Sequence, residues 1–150
     1  AAQTLTRNIE TFGGFVRPCG GFQSIRDGVV TTGELPAALN GNVLYEQALV
    51  LTSAAGLVVV TGCAHPGIVT ILEKVRQWSG EKIYLALGGF HLLEAADSEI
   101  QRIIDRMKDL GVANVAPTHC TGERATELMR QRFGPHFVEI RNGSHVEIPK

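Results

Sequence analysis

Three histidines and two cysteines stand at positions from which they could act together on a metal ion. His65, His91 and His119 each follow a predicted β-strand, and Cys63 and Cys120 each lie within two residues of one of them. Imidazole nitrogen and thiolate sulfur are borderline-soft ligands, so this set suits zinc and also iron, nickel or copper. Glycines flank the histidines and let a ligand-bearing loop turn sharply beside a bound ion. The pattern indicates a candidate metal site built from three loops.

Other interpretations of these residue types stay open. A single buried histidine is more often a hydrogen-bonded core residue than a ligand, but three in equivalent loops favour a functional site. Cys63 or Cys120 beside a histidine could be a thiolate nucleophile, although metal ligation or packing is favoured for each. We expect Cys19, His136 and His145 to be ordinary core or surface residues.

The elements that must position the three loops alternate between strand and helix. The helices are predicted from apolar residues at i, i+3, i+4 and i+7. Right-handed crossovers between parallel strands place every strand-to-helix loop at one edge of the sheet, where α/β folds keep their chemistry. The prediction is a mixed sheet with a βαβαβα core. Its strands are 57–61, 82–87 and 112–116, and its helices run from Pro66 to Ser79, from 93 to 110, and from an N-cap at Thr121 to about Gly134.

The regions around this core are predicted to contain two hairpins. Residues 43–51 and 57–61 are β-branched and aliphatic runs joined by a short turn. Residues 136–140 and 145–148 flank an Asn-Gly turn and are predicted to close the fold. Residues 1–41 are rich in Gly and Thr and predict an irregular segment with short strands, which leaves 42–150 as an α/β half-domain.

Composition excludes several classes of function. The 150 residues carry 14 Lys+Arg against 15 Asp+Glu, without a basic run, so neither nucleic acid nor an anionic membrane is an expected partner. Three cysteines are too few for a disulfide framework and predict a reducing, cytoplasmic compartment. The uncharged stretch 48–72 contains too many polar residues and glycines for a membrane helix. The usual phosphate-loop and serine-hydrolase patterns are absent from the sequence.

The three loops resemble motifs of metallo-β-lactamase-fold hydrolases. The sequences Leu57-Val-Val-Val-Thr-Gly-Cys-Ala-His-Pro-Gly, Gly88-Gly-Phe-His-Leu and Pro117-Thr-His-Cys-Thr-Gly are similar, in this order, to motifs of the dihydropterin/ribofuranosylaminobenzene phosphate synthase-like branch. The resemblance covers roughly residues 57–143, whereas residues 1–56 match loosely. It implies the C-terminal half of an αββα sandwich with a metal site at its sheet edge.

The resemblance also implies roles for individual residues. His119 corresponds to the last metal-ligand histidine of the family, and Cys63 or His65 takes the place of a metal-bridging aspartate. His91 lies in a pocket-wall segment, as a ligand or a substrate contact. We therefore expect His65 and His119 to bind the metal, with Cys63 and His91 next. The expected substrate-binding residues are Thr118, Cys120, Thr121 and Gly122.

The implied cofactor is zinc or another divalent transition metal, with iron and manganese as alternatives. Such a metal would lower the pKa of bound water and supply hydroxide for hydrolysis. The family suggests a small phosphorylated or pterin-like substrate. The helix that begins near Thr121 presents free N–H groups that could hold a phosphate.

One family motif is missing from the sequence. His-x-His-x-Asp-His, which supplies most ligands and the aspartate that handles the attacking water, does not occur, so no catalytic residue is assigned and enzymatic activity stays open. Three hypotheses follow: a C-terminal fragment whose N-terminal half is supplied by another polypeptide or lost, a half that pairs with itself as a homodimer, or a non-catalytic ligand-binding or interaction module. A cysteine-based redox or transfer protein is a weaker alternative.

Overall fold

A computed structural model describes residues 2–39 and 41–149; residues 1, 40 and 150 lie outside the described part of the chain. The described helices and strands interleave along the sequence. They are α1 (Ala2–Thr11), β1 (Gln23–Arg26), β2 (Val29–Thr31), β3 (Leu35–Leu39), β4 (Asn42–Glu46), β5 (Leu49–Ser53), β6 (Gly56–Thr61), α2 (Ile68–Ser79), β7 (Ile83–Gly89), α3 (Asp97–Asp109), β8 (Asn114–Thr118) and α4 (Glu123–Phe133).

The main sheet has six strands in the order β1-β2-β5-β6-β7-β8. The first four pair antiparallel, whereas β6, β7 and β8 are parallel to one another. Strands β3 and β4 form a separate two-stranded sheet. The predicted mixed α/β fold is confirmed, with α2, α3 and α4 as the helices of its βαβαβα core.

The two faces of the parallel strands bury different partners because side chains alternate along a strand. On one face, Leu57 and Val59 of β6 belong to the main apolar core, together with residues of α2, α3 and α4. On the other face, Val58, Leu85 and Ala116 form a smaller buried cluster. Neighbouring residues of one strand thus stabilise opposite sides of the sheet.

Helix α2 confirms the periodicity argument. Ile68, Ile71, Leu72 and Val75 are all buried, as their spacing predicts. Gly80 ends the helix in the left-handed conformation (φ 69°), and its N–H donates to the carbonyl of Arg76, as expected of a C-terminal cap.

Helices α3 and α4 begin later than predicted. Helix α3 starts at Asp97, because the preceding loop is tied to its neighbour: Leu92 N–H donates to the Cys120 carbonyl at 3.1 Å. Thr121 is not the N-cap of α4. It is fully buried in a short 3₁₀ turn, and Gly122 takes the cap position instead.

The strand predicted over residues 43–51 is divided in two. Ala48 is buried, and its backbone groups bond Thr32: its carbonyl accepts the Thr32 N–H and its N–H donates to the Thr32 hydroxyl. The chain therefore changes partner here, from β3 to β2. The β5–β6 hairpin that follows is confirmed.

The predicted closing hairpin is wrong. A turn forms, with Ser144 N–H donating to the Arg141 carbonyl, but the described residues 136–149 contain no paired strands. Val138 N–H instead donates to Val115 of β8. The physical reason is apolar burial: four side chains of this segment pack on the second face of the main sheet. They are Val138, Ile140, Val146 and Ile148.

The N-terminal segment contains helix α1, which the sequence did not predict, and the strands β1, β2 and β3. Residues 2–11 contain no Gly or Pro and form α1. The glycine-rich part of the segment begins only at Gly13. Leu5 on this helix is 62% exposed, and Phe12, directly after its last residue, is 90% exposed. Across residues 2–39 and 41–149, no helix is long and apolar enough to cross a bilayer.

Candidate metal centre

The three candidate loops meet at one edge of the main sheet because they follow the parallel strands β6, β7 and β8. Hydrogen bonds donated by backbone N–H groups join them directly. Gly89 N–H donates to the Gly62 carbonyl at 2.9 Å, and Phe90 N–H donates to the Thr121 hydroxyl at 3.1 Å. The predicted convergence of the loops is therefore present in the fold.

Gly89 sets how closely these loops approach. A Cβ on Gly89 would lie 2.4 Å from the Gly62 carbonyl oxygen, 2.9 Å from the Cys120 sulfur and 3.3 Å from the Cys63 Cα. No side chain fits these distances without moving backbone. The cysteine-bearing loops can therefore flank β7 only because residue 89 is glycine.

The backbone is strained once in each loop. Ala64, His91 and His119 have φ values of 59°, 53° and 53°, and they are the non-glycine residues of the described chain with positive φ. Each such conformation costs about 1–3 kcal/mol and tends to occur at functional sites, where the surrounding structure enforces it. Two of the three are histidines predicted to bind metal.

The first group of possible ligand atoms joins the first and third loops. Cys63 Sγ lies 3.1 Å from His119 Nε2, and Cys120 Sγ is directed at the Cys63 carbonyl at 3.4 Å. One donor atom from each of the three residues lies within 4.8 Å of the others. The cysteines are half-buried and His119 is exposed, so the group can be reached from solvent. Two sulfurs and one imidazole nitrogen fit a divalent transition metal in both chemistry and spacing.

The second group contains a residue that sequence reasoning missed. Glu46, at the end of β4, lies with Cys63 and His65 so that their donor atoms are within 4.8 Å of one another. One Glu46 oxygen accepts the His65 backbone N–H at 2.8 Å, and the other lies 2.5 Å from His65 Nδ1. A signal existed in the sequence, since Glu46 is the only Asp, Glu, Lys or Arg between Glu34 and Glu73. Cys63 belongs to both groups.

His91 packs against the second group rather than belonging to it. Its ring centroid lies 4.3 Å from that of His65, with 52° between the ring planes. His91 is exposed and lines a cavity of about 470 Å³ together with Cys120, Glu94 and Glu99. This position suits a residue that contacts a substrate.

The other predicted substrate-binding residues divide by position. Thr118 and Gly122 line a second cavity, of about 650 Å³, with His119 and Arg124. Thr121, by contrast, is buried, and its hydroxyl donates to the Thr118 carbonyl while accepting the Phe90 N–H. The Thr121 hydroxyl therefore holds two loops together.

The pKa of Cys63 is raised above that of an ordinary thiol. Desolvation is the largest cause, and the hydrogen bond and charge interaction with Cys120 and the charge interaction with Glu46 raise the pKa further. A raised pKa lowers the thiolate fraction at neutral pH and so disfavours Cys63 as an activated nucleophile. A metal cation would reverse this by displacing the proton.

Comparison with known proteins gives a consistent result. No protein-family model matches the chain. A curated protein of Methanocaldococcus jannaschii, 7,8-dihydropterin-6-methyl-4-(β-D-ribofuranosyl)-aminobenzene-5'-phosphate synthase, is 36% identical over 107 residues, or 71% of this chain and 36% of the relative. An uncharacterized protein of the same organism is 36% identical over 74 residues, or 49% of this chain and 28% of its own length.

A crystal structure described as a metal-dependent hydrolase of the β-lactamase superfamily matches 91% of this chain and 59% of its own chain, with a TM-score of 0.77 and 33% identity. This chain has the metallo-β-lactamase fold. The resemblance to the dihydropterin/ribofuranosylaminobenzene phosphate synthase-like branch is confirmed, since the curated synthase carries the name of that branch. This chain spans about a third of the length of that synthase and about three fifths of the length of the crystallised relative.

Replacing Gly89 tests the close approach of the loops. The Gly89→Ala variant should lose about 1–3 kcal/mol of unfolding free energy, because the new Cβ forces backbone apart. Urea denaturation followed by circular dichroism measures this. Gly20→Ala is the matched control: its Cβ would meet nothing within 4 Å, so its change should stay within about 0.5 kcal/mol. Equal stability of both variants would contradict the packing described at Gly89.

Alkylation tests the protonation state of Cys63. Because its pKa is raised, Cys63 in the metal-free protein should react with iodoacetamide more slowly than glutathione at pH 7, and the rate should climb as the pH rises. Peptide mapping by mass spectrometry follows this one residue. Faster reaction than glutathione at pH 7 would instead indicate an activated thiolate and favour the nucleophile interpretation.

Proposed function

We propose that this chain forms a metal-binding part of a metallo-β-lactamase-superfamily hydrolase and holds a divalent transition metal at the loop edge. The observation that carries the proposal is the 3.1 Å approach of Cys63 Sγ to His119 Nε2, with Cys120 as the third donor. His65 belongs to the second donor group, which shares Cys63 with the first. Zinc is the first candidate because thiolate and imidazole are its common ligands, and iron and manganese are the alternatives.

A bound ion of this kind acts as a Lewis acid on substrate oxygen and on water. The residues of this chain supply the rest of the proposed site. The two thiols release their protons on metal binding, His119 presents Nε2 from an exposed loop, and His91 contacts the substrate from the wall of the smaller cavity. Leu93 lines both cavities, so its exposed side chain would pack against a substrate that spans them.

We further propose a small substrate with an anionic phosphate and a nitrogen-rich ring, as the name of the curated synthase suggests. The larger cavity contains Arg124 and the N-terminal residues of α4, where free N–H groups favour an anion. Arg124 also donates to Asp97, which fixes the guanidinium in place. In the smaller cavity, the carboxylates of Glu94 and Glu99 could accept hydrogen bonds from the N–H groups of a pterin-like ring.

We also propose that a complete catalyst needs ligands from outside this sequence. Each donor group contains three residues, and both use Cys63. The His-x-His-x-Asp-His motif that would add ligands is absent from the sequence. A second copy of this chain or a separate N-terminal half would supply the missing contacts. The three free cysteines support a reducing, cytoplasmic setting for such an assembly.

Exposed apolar side chains support a partner surface. Val43 and Tyr45 of β4 are 66% and 61% exposed, and Ile25 of β1 is 57% exposed. If a second copy covers them, sedimentation equilibrium should give twice the chain mass of 16.2 kDa, even at high dilution. The Tyr45→Lys variant should shift the mass toward that of a single chain. A single-chain mass for the unmodified, metal-loaded protein would contradict self-pairing and leave the separate half as the proposed partner.

Metal content tests the proposed site. Tag-free protein, reconstituted with zinc and measured by inductively coupled plasma mass spectrometry, should hold at least one ion per chain, and His119→Ala should abolish this binding. His145→Ala is the matched control, since His145 is exposed and lies outside both donor groups. Circular dichroism confirms that both variants are folded. Unchanged zinc affinity in His119→Ala would overturn the site, and a protein that binds substrate analogues without metal would favour the non-catalytic binding module.

A further inference from the structure

Glu46 holds His65 by both of its carboxylate oxygens. Oε2 accepts the His65 backbone N–H at 2.8 Å, and Oε1 lies 2.5 Å from the ring nitrogen Nδ1. The two side chains are only 17% and 20% exposed, so water competes weakly for these bonds. One residue thus fixes both the backbone and the ring of a predicted metal ligand.

The hydrogen-bond partners of Glu46 favour an orienting carboxylate over a metal ligand. Glu46 Oε1 and His65 Nδ1 are 2.5 Å apart, which is a hydrogen-bond separation. With Oε2 already bound to the backbone N–H, Glu46 has no oxygen free of His65.

A hydrogen bond at Nδ1 decides which nitrogen of His65 can bind a metal. A carboxylate oxygen that accepts this hydrogen bond requires the proton on Nδ1, which leaves the lone pair of the ring on Nε2. His91 packs at 4.3 Å from the His65 ring and limits its rotation. Together the two contacts would hold the ring in one orientation and one tautomer before any ion binds.

We propose that Glu46 is a positioning residue that holds His65 in the Nδ1–H tautomer and so presents Nε2 to the metal centre beside Cys63. This inference rests on the proposed function. A carboxylate behind a ligating histidine raises the basicity of that ligand, and removal of such a partner typically weakens metal affinity about 10–100-fold. Glu46 belongs to β4 and its two-stranded sheet, so this contact links the second sheet to the loop edge of the main sheet.

The first experiment needs no metal. Long-range ¹H–¹⁵N correlation spectra of the metal-free protein report which ring nitrogen of each histidine carries a proton, and His65→Gln identifies the His65 signals. The expected result is protonation of His65 at Nδ1 with an unprotonated Nε2. The Nε2–H tautomer would overturn the proposal whether or not the protein binds metal.

The second experiment titrates the protein with Co²⁺ and follows the visible absorption bands. Glu46→Ala should lower cobalt affinity about 10–100-fold while keeping the same number of ions and the same spectrum at saturation, because no ligand is lost. Glu46→Gln should restore part of the affinity, since its amide oxygen still accepts the Nδ1 proton. Glu73→Ala is the control. It also removes a glutamate that has a side-chain partner, Arg106, but Glu73 lies on α2 and outside both donor groups.

The outcomes separate this proposal from the proposed function. Equal affinity of the unmodified protein and Glu46→Ala overturns the positioning role and leaves the metal site standing. A changed spectrum at saturation, without recovery in Glu46→Gln, makes Glu46 a ligand and also overturns the role. If the unmodified protein binds no cobalt, the proposed function fails together with the inference.

Discussion

The close packing of three strand-to-helix loops at one sheet edge is the constraint on which the rest of the structure depends. Parallel pairing brings the loops to the same edge, but only Gly89 lets them come close enough for Cys63 and Cys120 to share one group with His119. Hydrogen bonds between the loops hold this approach, and a positive φ in each loop shows that the arrangement is enforced. The candidate site is therefore a property of the sheet and not of any single loop.

Cys63 is the residue whose electrostatic surroundings bear most directly on metal binding at this edge. It is common to both donor groups, and desolvation together with negative neighbours raises its pKa. These conditions oppose a free thiolate and therefore oppose nucleophilic catalysis by Cys63 alone. They favour a bound cation, because a positive charge would offset both the desolvation and the neighbouring carboxylate of Glu46. A bound metal cation would therefore compensate the negative charges of the Cys63 thiolate and the Glu46 carboxylate.

Much of the fold and part of the candidate site follow from the sequence. The apolar spacing from Ile68 to Val75 fixes α2, and the strand–helix alternation places His65, His91 and His119 at one edge. Strand–helix alternation could not find Glu46, because this residue reaches the site from β4, a strand of the second sheet. The prediction of a closing hairpin was wrong because it, too, depended on a contact distant in sequence. Residues such as Val138 and Ile148 alternate as strand residues do, but they bury their apolar side chains on the sheet instead of pairing with each other.

The central claim is that sulfur and imidazole ligands from separate loops bind one metal ion. X-ray absorption spectroscopy at the zinc edge of the reconstituted protein tests this most directly, because it reports the ligand elements around the ion. The account predicts a sulfur shell at about 2.3 Å together with nitrogen at about 2.0–2.1 Å, with the sulfur contribution reduced in Cys63→Ser. A shell made only of nitrogen and oxygen would contradict it.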